Sequence, residues 1–526
     1  MSNKSKSLIG GMTVLGIAGI ICKLVGVLFS IPLTYIIGAE GQGIYNAVFP
    51  TYNLLLTISS AGLPVAVSRM VSSALAKDDP HSAKQIFRIA LLLLTILGCI
   101  ATIIILAGSD MLAARVDQPD SKIGFQFIAP CVVVVCIMSA FRGFMQGQQN
   151  MVPTAISQLI EQVGKVFLAL PLAYLGNKLG GVALGAAGAL LGTTVVEAIA
   201  LLFMVVQYFW CRKRFDAIEQ LAERRNLPAA DIAKQLLAIA IPITIGSCIV
   251  PLSQFVDSAM LVNRLMVAGM VHETAVSTYG VFSGMVIRLI NIPTALSLAV
   301  SMSLVPAVSS AWAISDETTV QRQTNLGLRF AFLIGFPCSI GMSVLSEQIF
   351  RFFYDGSLAE EYIQTGSSLL AVSSLTVVLF TVVQATSSIL QGVRKQRIPM
   401  YTLVVGVLCK IALNYILVGT SGIDIHGAPI ASLVCYTVSL LPNLYYVMKY
   451  THMKFDWMNL LVRPGVSALL MGIVVFALTR ILPMNRLTTI LEIAVGIVVF
   501  AAAALWTKAL TKEDLSALRR SKAKRA

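Results

Sequence analysis

Charge is scarce in this 526-residue sequence: Asp, Glu, Lys and Arg together make up 12% of it, about half the ~25% usual in soluble chains. Beside 57% hydrophobic residues, that scarcity excludes a soluble enzyme, a disordered chain and a disulfide-stapled secreted domain. Histidine is scarce too. The four, His81, His272, His426 and His452, all fall in polar breaks, which argues against a buried metal or a catalytic triad. The nine cysteines form no CxxC pair and no metal-ligand spacing. Most lie inside apolar runs (Cys22, Cys99, Cys248, Cys338, Cys409, Cys435) and read as buried structural thiols. No GxxxxGK(S/T) phosphate loop occurs, so ATP does not drive the chain directly. Nor do the loops hold an acidic cluster suited to a sugar transferase, and the chain is not read as an enzyme.

What is abundant is apolar sequence in runs of about 20 residues, long enough to cross a ~30 Å hydrocarbon core as helices. The reading is an all-α, multi-pass membrane protein of about fourteen spans, near 9–37, 44–74, 86–108, 123–146, 153–175, 181–209, 235–262, 276–311, 326–346, 363–391, 399–419, 426–448, 461–482 and 487–507. Most of the 39 Lys and Arg fall in loops on the side of the N-terminus, which marks that side as cytoplasmic. An even number of spans puts both termini there, and the basic tail from Lys508 to Ala526 agrees. The formal charge of +14 is thus a signal of topology and of contact with anionic lipid, not of nucleic acid. Lys4 and Lys6 before the first apolar run resemble a secretory signal. That run continues to about Ile37 without a small-residue cleavage site and reads as a retained helix.

The longest polar break, Cys211–Lys234, contains Arg212, Lys213, Arg214, Arg224 and Arg225 and reads as a cytoplasmic interfacial helix. It divides the chain into an N-lobe (1–210), a linker (211–234) and a C-lobe (235–449), followed by two appended spans (450–508) and a basic tail (509–526). An internal repeat supports the division. Ser72-Ser73-Ala74-Leu75-Ala76 recurs as Ser309-Ser310-Ala311-Trp312-Ala313, each before a short acidic loop, Asp78-Asp79 or Asp316-Glu317. Phe87-Arg88-Ile89-Ala90 and Leu328-Arg329-Phe330-Ala331 then open the next spans. Met145-Gln146-Gly147 with Pro153 and Lys165 recurs as Leu390-Gln391-Gly392 with Pro399 and Lys410. Spans 1–6 and 7–12 therefore read as two lobes related by a pseudo-two-fold axis along the membrane normal, an architecture of alternating-access transporters. Pro32, Pro64, Pro251, Pro293, Pro306 and Pro337 are candidates to bend the spans that line a cavity.

Charges inside spans are expensive and therefore informative. Glu161 and Lys165 stand at i, i+4 and read as an internal ion pair. Lys410, the repeat partner of Lys165, has no acidic residue at i−4 and is expected to face the cavity or to pair between helices. Glu197 and Glu492 are the other acids placed deep in spans; Glu492, in the appended helices, reads as structural. Lys23, Arg69 and Arg288 have no acidic residue one turn away on their own helices. In the duplicated architecture their spans line the cleft, so the three read as a set converging on one anionic group. For Arg69, snorkelling to the cytoplasmic surface is the plainer alternative. Asp257 and Arg264, near the outer end of span 7, read as a pair or a gate.

The stretch Phe141-Arg142-Gly143-Phe144-Met145-Gln146-Gly147-Gln148-Gln149-Asn150-Met151-Val152-Pro153-Thr154-Ala155-Ile156-Ser157-Gln158 closely resembles a signature of bacterial polysaccharide exporters. So does the opening, from Gly38-Ala39-Glu40-Gly41-Gln42-Gly43-Ile44-Tyr45 to Gly62-Leu63-Pro64-Val65-Ala66-Val67-Ser68-Arg69. Essentially the whole chain resembles the polysaccharide biosynthesis and stage V sporulation protein B branch of the MOP (multidrug/oligosaccharidyl-lipid/polysaccharide), MATE-like exporter superfamily, near the MurJ-type lipid II flippases. The resemblance implies fourteen helices in the bacterial cytoplasmic membrane. It also implies outward translocation of an undecaprenyl-diphosphate-linked saccharide, foremost lipid II, for peptidoglycan synthesis, alongside cell-wall synthesis proteins as partners. Lys23 stands where that family has an Arg in its first helix, and Arg288, in Arg288-Leu289-Ile290-Asn291-Ile292-Pro293, matches an Arg-Leu-x-x-x-Pro pattern. Other family basic positions are here Phe29 and Leu56 or Thr57.

No cofactor is expected; the drive is membrane potential or a Na+ or H+ gradient. Three rivals remain open. One is an exporter of another lipid-linked oligosaccharide, for capsule or spore polysaccharide. A cation-coupled multidrug exporter should instead show unpaired carboxylates, and a non-transporting scaffold should show a sealed interior.

Overall fold

The computed structural model describes residues 3–77, 79–219 and 228–510, with side chains at all of these except 3–17, 20, 23, 24, 27, 211–219, 298–300, 302 and 303. Asp78, most of the basic tail and residues 220–227 of the expected linker lie outside the described residues. Those described are almost wholly helical, with no strand among them. Among the described residues, twelve segments are long and apolar enough to cross a membrane, as the hydrophobic runs require, and the protein is a multi-pass membrane protein.

The chain forms two compact units, Met1–Gly284 and Met285–Ala526. The first holds α1 (Asn3–Ser60), α2 (Gly62–Leu75), α3 (Pro80–Ala107), α4 (Ser109–Arg115), α5 (Lys122–Gly147), α6 (Val152–Gly164), α7 (Leu170–Glu219), α8 (Ala229–Ser247), α9 (Ile249–Val267) and α10 (His272–Gly280). The second holds α11 (Ile287–Ala313), α12 (Glu317–Val344), α13 (Ser346–Tyr354), α14 (Glu360–Ser374), α15 (Thr376–Gly392), α16 (Arg397–Leu417), α17 (Gly427–Thr451), α18 (Arg463–Ile481) and α19 (Arg486–Trp506).

Two of the twelve segments, Leu28–Leu75 with 48 residues and Val152–Trp210 with 59, are each long enough for two crossings of about 20 residues. Each is broken where a glycine takes a positive φ that other residues rarely adopt: Gly38 (φ 64°) in α1 and Gly181 (φ 76°) in α7. Beyond Gly181 the second arm of α7 runs back along the first. A Cβ on Gly176 would sit 2.3 Å from the Leu184 carbonyl oxygen, one on Gly188 2.4 Å from that of Leu172, and one on Gly192 2.3 Å from the Ala169 Cα. The descending partner numbers define an antiparallel seam in which missing side chains let two backbones touch. Gly192→Val is expected to cost about 1–3 kcal/mol by overpacking, read as a lower thermal unfolding midpoint of the purified protein in detergent. Gly465→Ala, whose new methyl would meet only Phe336 at 3.8 Å, should not lower the midpoint, since alanine within a helix is favoured over glycine.

The repeat read from sequence reappears as repeated local geometry. After Met145-Gln146-Gly147, Gln149 takes φ 63° and the Asn150 N–H donates to the Met145 carbonyl at 3.0 Å; after Leu390-Gln391-Gly392, Arg394 takes φ 62° and the Lys395 N–H donates to Leu390 at 2.8 Å. Both helices thus end in the same left-handed cap. A Cβ on Gly147 would lie 2.7 Å from Val71, and one on Gly392 2.8 Å from Val308; these two valines each precede the repeated Ser-Ser pair. The acidic loops are helix caps. Asp79 accepts the Ser82 N–H at 2.9 Å, and Asp316 accepts the Thr319 N–H at 3.0 Å and the Thr318 hydroxyl at 2.7 Å. Hydrogen bonds from Thr319 and Thr318 hold the Asp316 carboxyl down at about 2.

The prolines divide. Pro32, Pro293, Pro306 and Pro337 lie inside helices. Pro64 and Pro251 stand three residues after Ala61 and Cys248, the α-region residues at which α1 passes into α2 and α8 into α9, so they mark breaks between joined helices rather than helix interiors.

Candidate functional site

The three expected anion-binding cations are on membrane helices. Lys23 is on the first arm of α1, and its side chain lies outside the described residues. Arg69 on α2 is exposed, and Arg288 near the start of α11 is half-buried; neither has an acidic partner among the described residues. Asp257 and Arg264 are both half-buried on α9, and neither is unpartnered. Asp257 lies close enough to Tyr279 of α10 to act on it electrostatically, while the Tyr279 hydroxyl donates to the Asn46 carbonyl at 3.1 Å.

The densest charge in the first unit is a buried quartet. Arg142 of α5 forms an ion pair with Glu161 of α6, the side chains 13% and 12% exposed. Its Nε and Nη2 also donate to Ser157 Oγ at 3.0 and 2.8 Å, and Ser157 Oγ donates to the Thr154 carbonyl at 2.8 Å. Lys165 Nζ lies 3.6 Å from Oε1 of Glu197 on the second arm of α7, the latter side chain only 5% exposed. The two carboxylates lie close enough to act on each other electrostatically. Oε2 of Glu197 is buried and has no hydrogen-bond partner among the described residues.

The i, i+4 pair expected between Glu161 and Lys165 is therefore replaced by two interhelical pairs. An i, i+4 contact contributes only about 0.2–0.5 kcal/mol, and each residue has an oppositely charged neighbour on another helix. Local geometry favours the exchange. Lys165–Ala169 form one π-helical turn, with the Leu170 N–H donating to the Lys165 carbonyl. Next to it, Gly164 and Gly192 hold α6 and α7 in close contact. π-turns are often found at functional positions. Cys22 of α1 donates its thiol to the Gln158 carbonyl at 3.4 Å, so the first arm of α1 lies beside this group.

Glu197 was visible in the sequence as an intramembrane acid without an assigned role. Arg142 was missed because it stands five residues before the end of its helix, where an arginine reads as reaching for the interface. The second unit repeats the hairpin without the quartet. Neither α16 nor α17 contains an Asp or Glu, and Gly406, four residues before Lys410, packs against Cys435 and Ser439. Lys410 is half-buried and has an interaction partner. Glu492 of α19 is 2% exposed. The thiols are less uniform than the apolar runs suggested: Cys131, Cys136 and Cys435 are buried, but Cys99 is exposed and Cys22, Cys248, Cys338 and Cys409 are half-buried. Cys99 lies on an apolar helix whose outer face has lipid for a solvent, so an apolar environment there does not require protein contact.

Residues 8–312 match the profile of the family described as "Polysaccharide biosynthesis protein", and residues 242–416 match that described as "MatE". The lipid II flippase MurJ of Bacillus subtilis (strain 168) is 26% identical over 488 residues, which cover 89% of this chain and 87% of that protein. Stage V sporulation protein B of the same organism is 27% identical over 423 residues, 80% of each chain. A solved structure of lipid II flippase MurJ in an inward closed conformation matches with a TM-score of 0.72 at 13% identity, covering 94% of this chain and 99% of that one. The last likeness is one of fold.

Proposed function

Because the chain belongs to the polysaccharide biosynthesis protein family, we propose that it is a flippase moving an undecaprenyl-diphosphate-linked saccharide, foremost lipid II, from the inner to the outer leaflet. The observation that supports this most is the likeness, along 89% of the chain, to a lipid II flippase. The residue chemistry agrees. Lys23, Arg69 and Arg288 are cations on membrane helices with no acid one turn away, suited to the diphosphate. A cationic drug would instead call for lone carboxylates; Glu161 and Glu197 face cations, and Glu492, which has no ion pair among the described residues, is buried on the appended helix α19. Inside-negative potential favours outward movement of a charge of about −2 by roughly 4–5 kcal/mol per 100 mV, without ATP.

The test is purified protein in liposomes, scored for exposure of labelled lipid II, of a capsule-type lipid-linked repeat unit and of a cationic drug. Lipid II is expected to cross faster than in protein-free vesicles, and faster still when the potential favours the anion. Movement of the drug alone overturns the reading. Preference for the other lipid-linked sugar keeps the flippase class and changes the cargo.

A further inference from the structure

Among the described residues of the second unit, Glu492 is the one acid that is buried, and it has no part in the proposed anion site. We propose that Glu492 is a proton-binding site of the appended helices, loaded as the neutral acid, and that protons reach it from the outer surface through a cavity at the head of α19. Loss of that proton loosens the packing of α19 on α18. The inference does not depend on which cargo the protein carries.

The start of α19 is complete without this acid. It opens on a capping box, in which Asn485 Oδ1 accepts the Thr488 N–H at 2.9 Å and Thr488 Oγ1 accepts the Asn485 N–H at 3.1 Å. Glu492 stands six residues past Arg486, about 9 Å along the axis, too deep to cap the helix or to answer its dipole. Thr489, Glu492, Gly496 and Ala503 form the buried face of α19. That face packs closely on α18, where a Cβ on Gly496 would lie 3.2 Å from Val475. Beside it is an apolar cluster of Leu345, Met471 and Val475. Glu492 is 2% exposed, and among the described residues its Oε2 has no hydrogen-bond partner and no Lys or Arg pairs with it. An anion in that seam is costly; a carboxylic acid leaves the seam closed.

One turn nearer the helix start, Thr489 lines a cavity of about 220 Å³. Its walls include Gln348, Arg351 and Asp355, on one stripe of α13 and the residue after it, and Asn485 and Arg486 from the α18–α19 turn. The charge asymmetry of the sequence assigns this end of the second unit to the outside. The cavity has room for several waters at about 30 Å³ each, and its polar lining supplies their partners. Hydrated space thus comes within one helical turn of Glu492, on the same face of α19. The charged and titratable groups at this end of the elements packed on α19 are Arg480 of α18, Glu347, Arg351 and Tyr354 of α13 with Asp355 after it, and Cys338 of α12; α19 itself adds Arg486. Arg351 is held by Glu347 at 3.1 Å and by Glu360 at 3.0 Å, so it does not balance Glu492. Arg486, six residues earlier, stands on a different face of the helix. When Glu492 ionises, no cation receives it, and the carboxylate is stabilised only by water entering between α18 and α19. The close approach of Gly496 to Val475 is then lost.

The test uses the full-length protein in liposomes and needs no substrate. Infrared spectra at neutral pH should show the C=O stretch of a protonated carboxyl that is missing from Glu492→Gln. Its intensity should fall as pH rises, by about tenfold per pH unit beyond the titration midpoint. The folded protein holds this proton where the unfolded chain does not, so the thermal unfolding midpoint in detergent should fall as pH rises through the same titration. Glu492→Gln, which keeps the shape of the neutral acid, should lack that fall. On transfer to D2O the band should shift promptly, and Gln348→Trp, which narrows the cavity, should delay the shift without removing the band. If Glu492→Gln fails to insert, Glu492→Asp takes its place and should displace both the band and its titration. A wild-type spectrum with no band that either substitution alters overturns the proton site. So does a midpoint whose pH dependence is the same in the wild type and in the Glu492 variant. A band that shifts in D2O as slowly in the wild type as in Gln348→Trp overturns the route through the cavity.

Discussion

Arg142→Ala destabilises the first unit by about 3–5 kcal/mol, the loss expected when one partner of a buried ion pair is removed and the other stays charged. Glu161 would keep its buried carboxylate without the guanidinium, and Ser157 would lose two donors. The measurement is the thermal unfolding midpoint in detergent, beside the fraction of protein reaching the membrane. A double-mutant cycle separates pairing from packing. Glu161→Ala alone should be damaging, whereas Arg142→Leu with Glu161→Leu should recover much of the loss, because two apolar side chains leave no charge stranded. A midpoint unchanged by Arg142→Ala would mean that the pair contributes little.

Lys23→Ala and Arg288→Ala are each expected to abolish complementation of a flippase-depleted strain while the protein remains in the membrane at its normal level. Each substitution removes one charge-assisted contact to a diphosphate. Such a contact is worth about 1.5–3 kcal/mol, or roughly ten- to hundredfold in headgroup binding. Neither residue has an acid one turn away on its own helix, so no carboxylate there is left unbalanced and stability should be little changed. That separates these variants from Arg142→Ala, which fails first in stability. Full complementation by both would remove the proposed anion site.

Helical architecture was legible in the sequence because lipid leaves the backbone few choices: apolar runs of the right length must satisfy their own hydrogen bonds. The duplication was legible in short matches such as Ser72-Ser73 with Ser309-Ser310. The reason for those matches was not, since a valine against a glycine and a left-handed cap are three-dimensional facts. Charge pairing was the least legible part. Helical spacing links Glu161 to Lys165, but no one-dimensional pattern links residue 142 to 161 or 165 to 197. The first pair is made across the turn between α5 and α6, and the second depends on the turn at Gly181 and on the glycine seam beside it.

That seam also bears on how the chain enters the bilayer. Val152–Ala169 delivers Glu161 and Lys165 into lipid before Glu197 has been synthesised, and a lysine or acidic side chain alone at mid-depth costs about 2.5–3.5 kcal/mol even on insertion scales. With glycine seams on both sides of Lys165, its stem has little freedom to swing toward water once the arms have closed. The economical route is for both arms to leave the translocon together, as one preassembled hairpin already neutralised. The biogenesis of this half of the protein is therefore sensitive to the spacing between Lys165 and Glu197, and not to hydrophobicity alone.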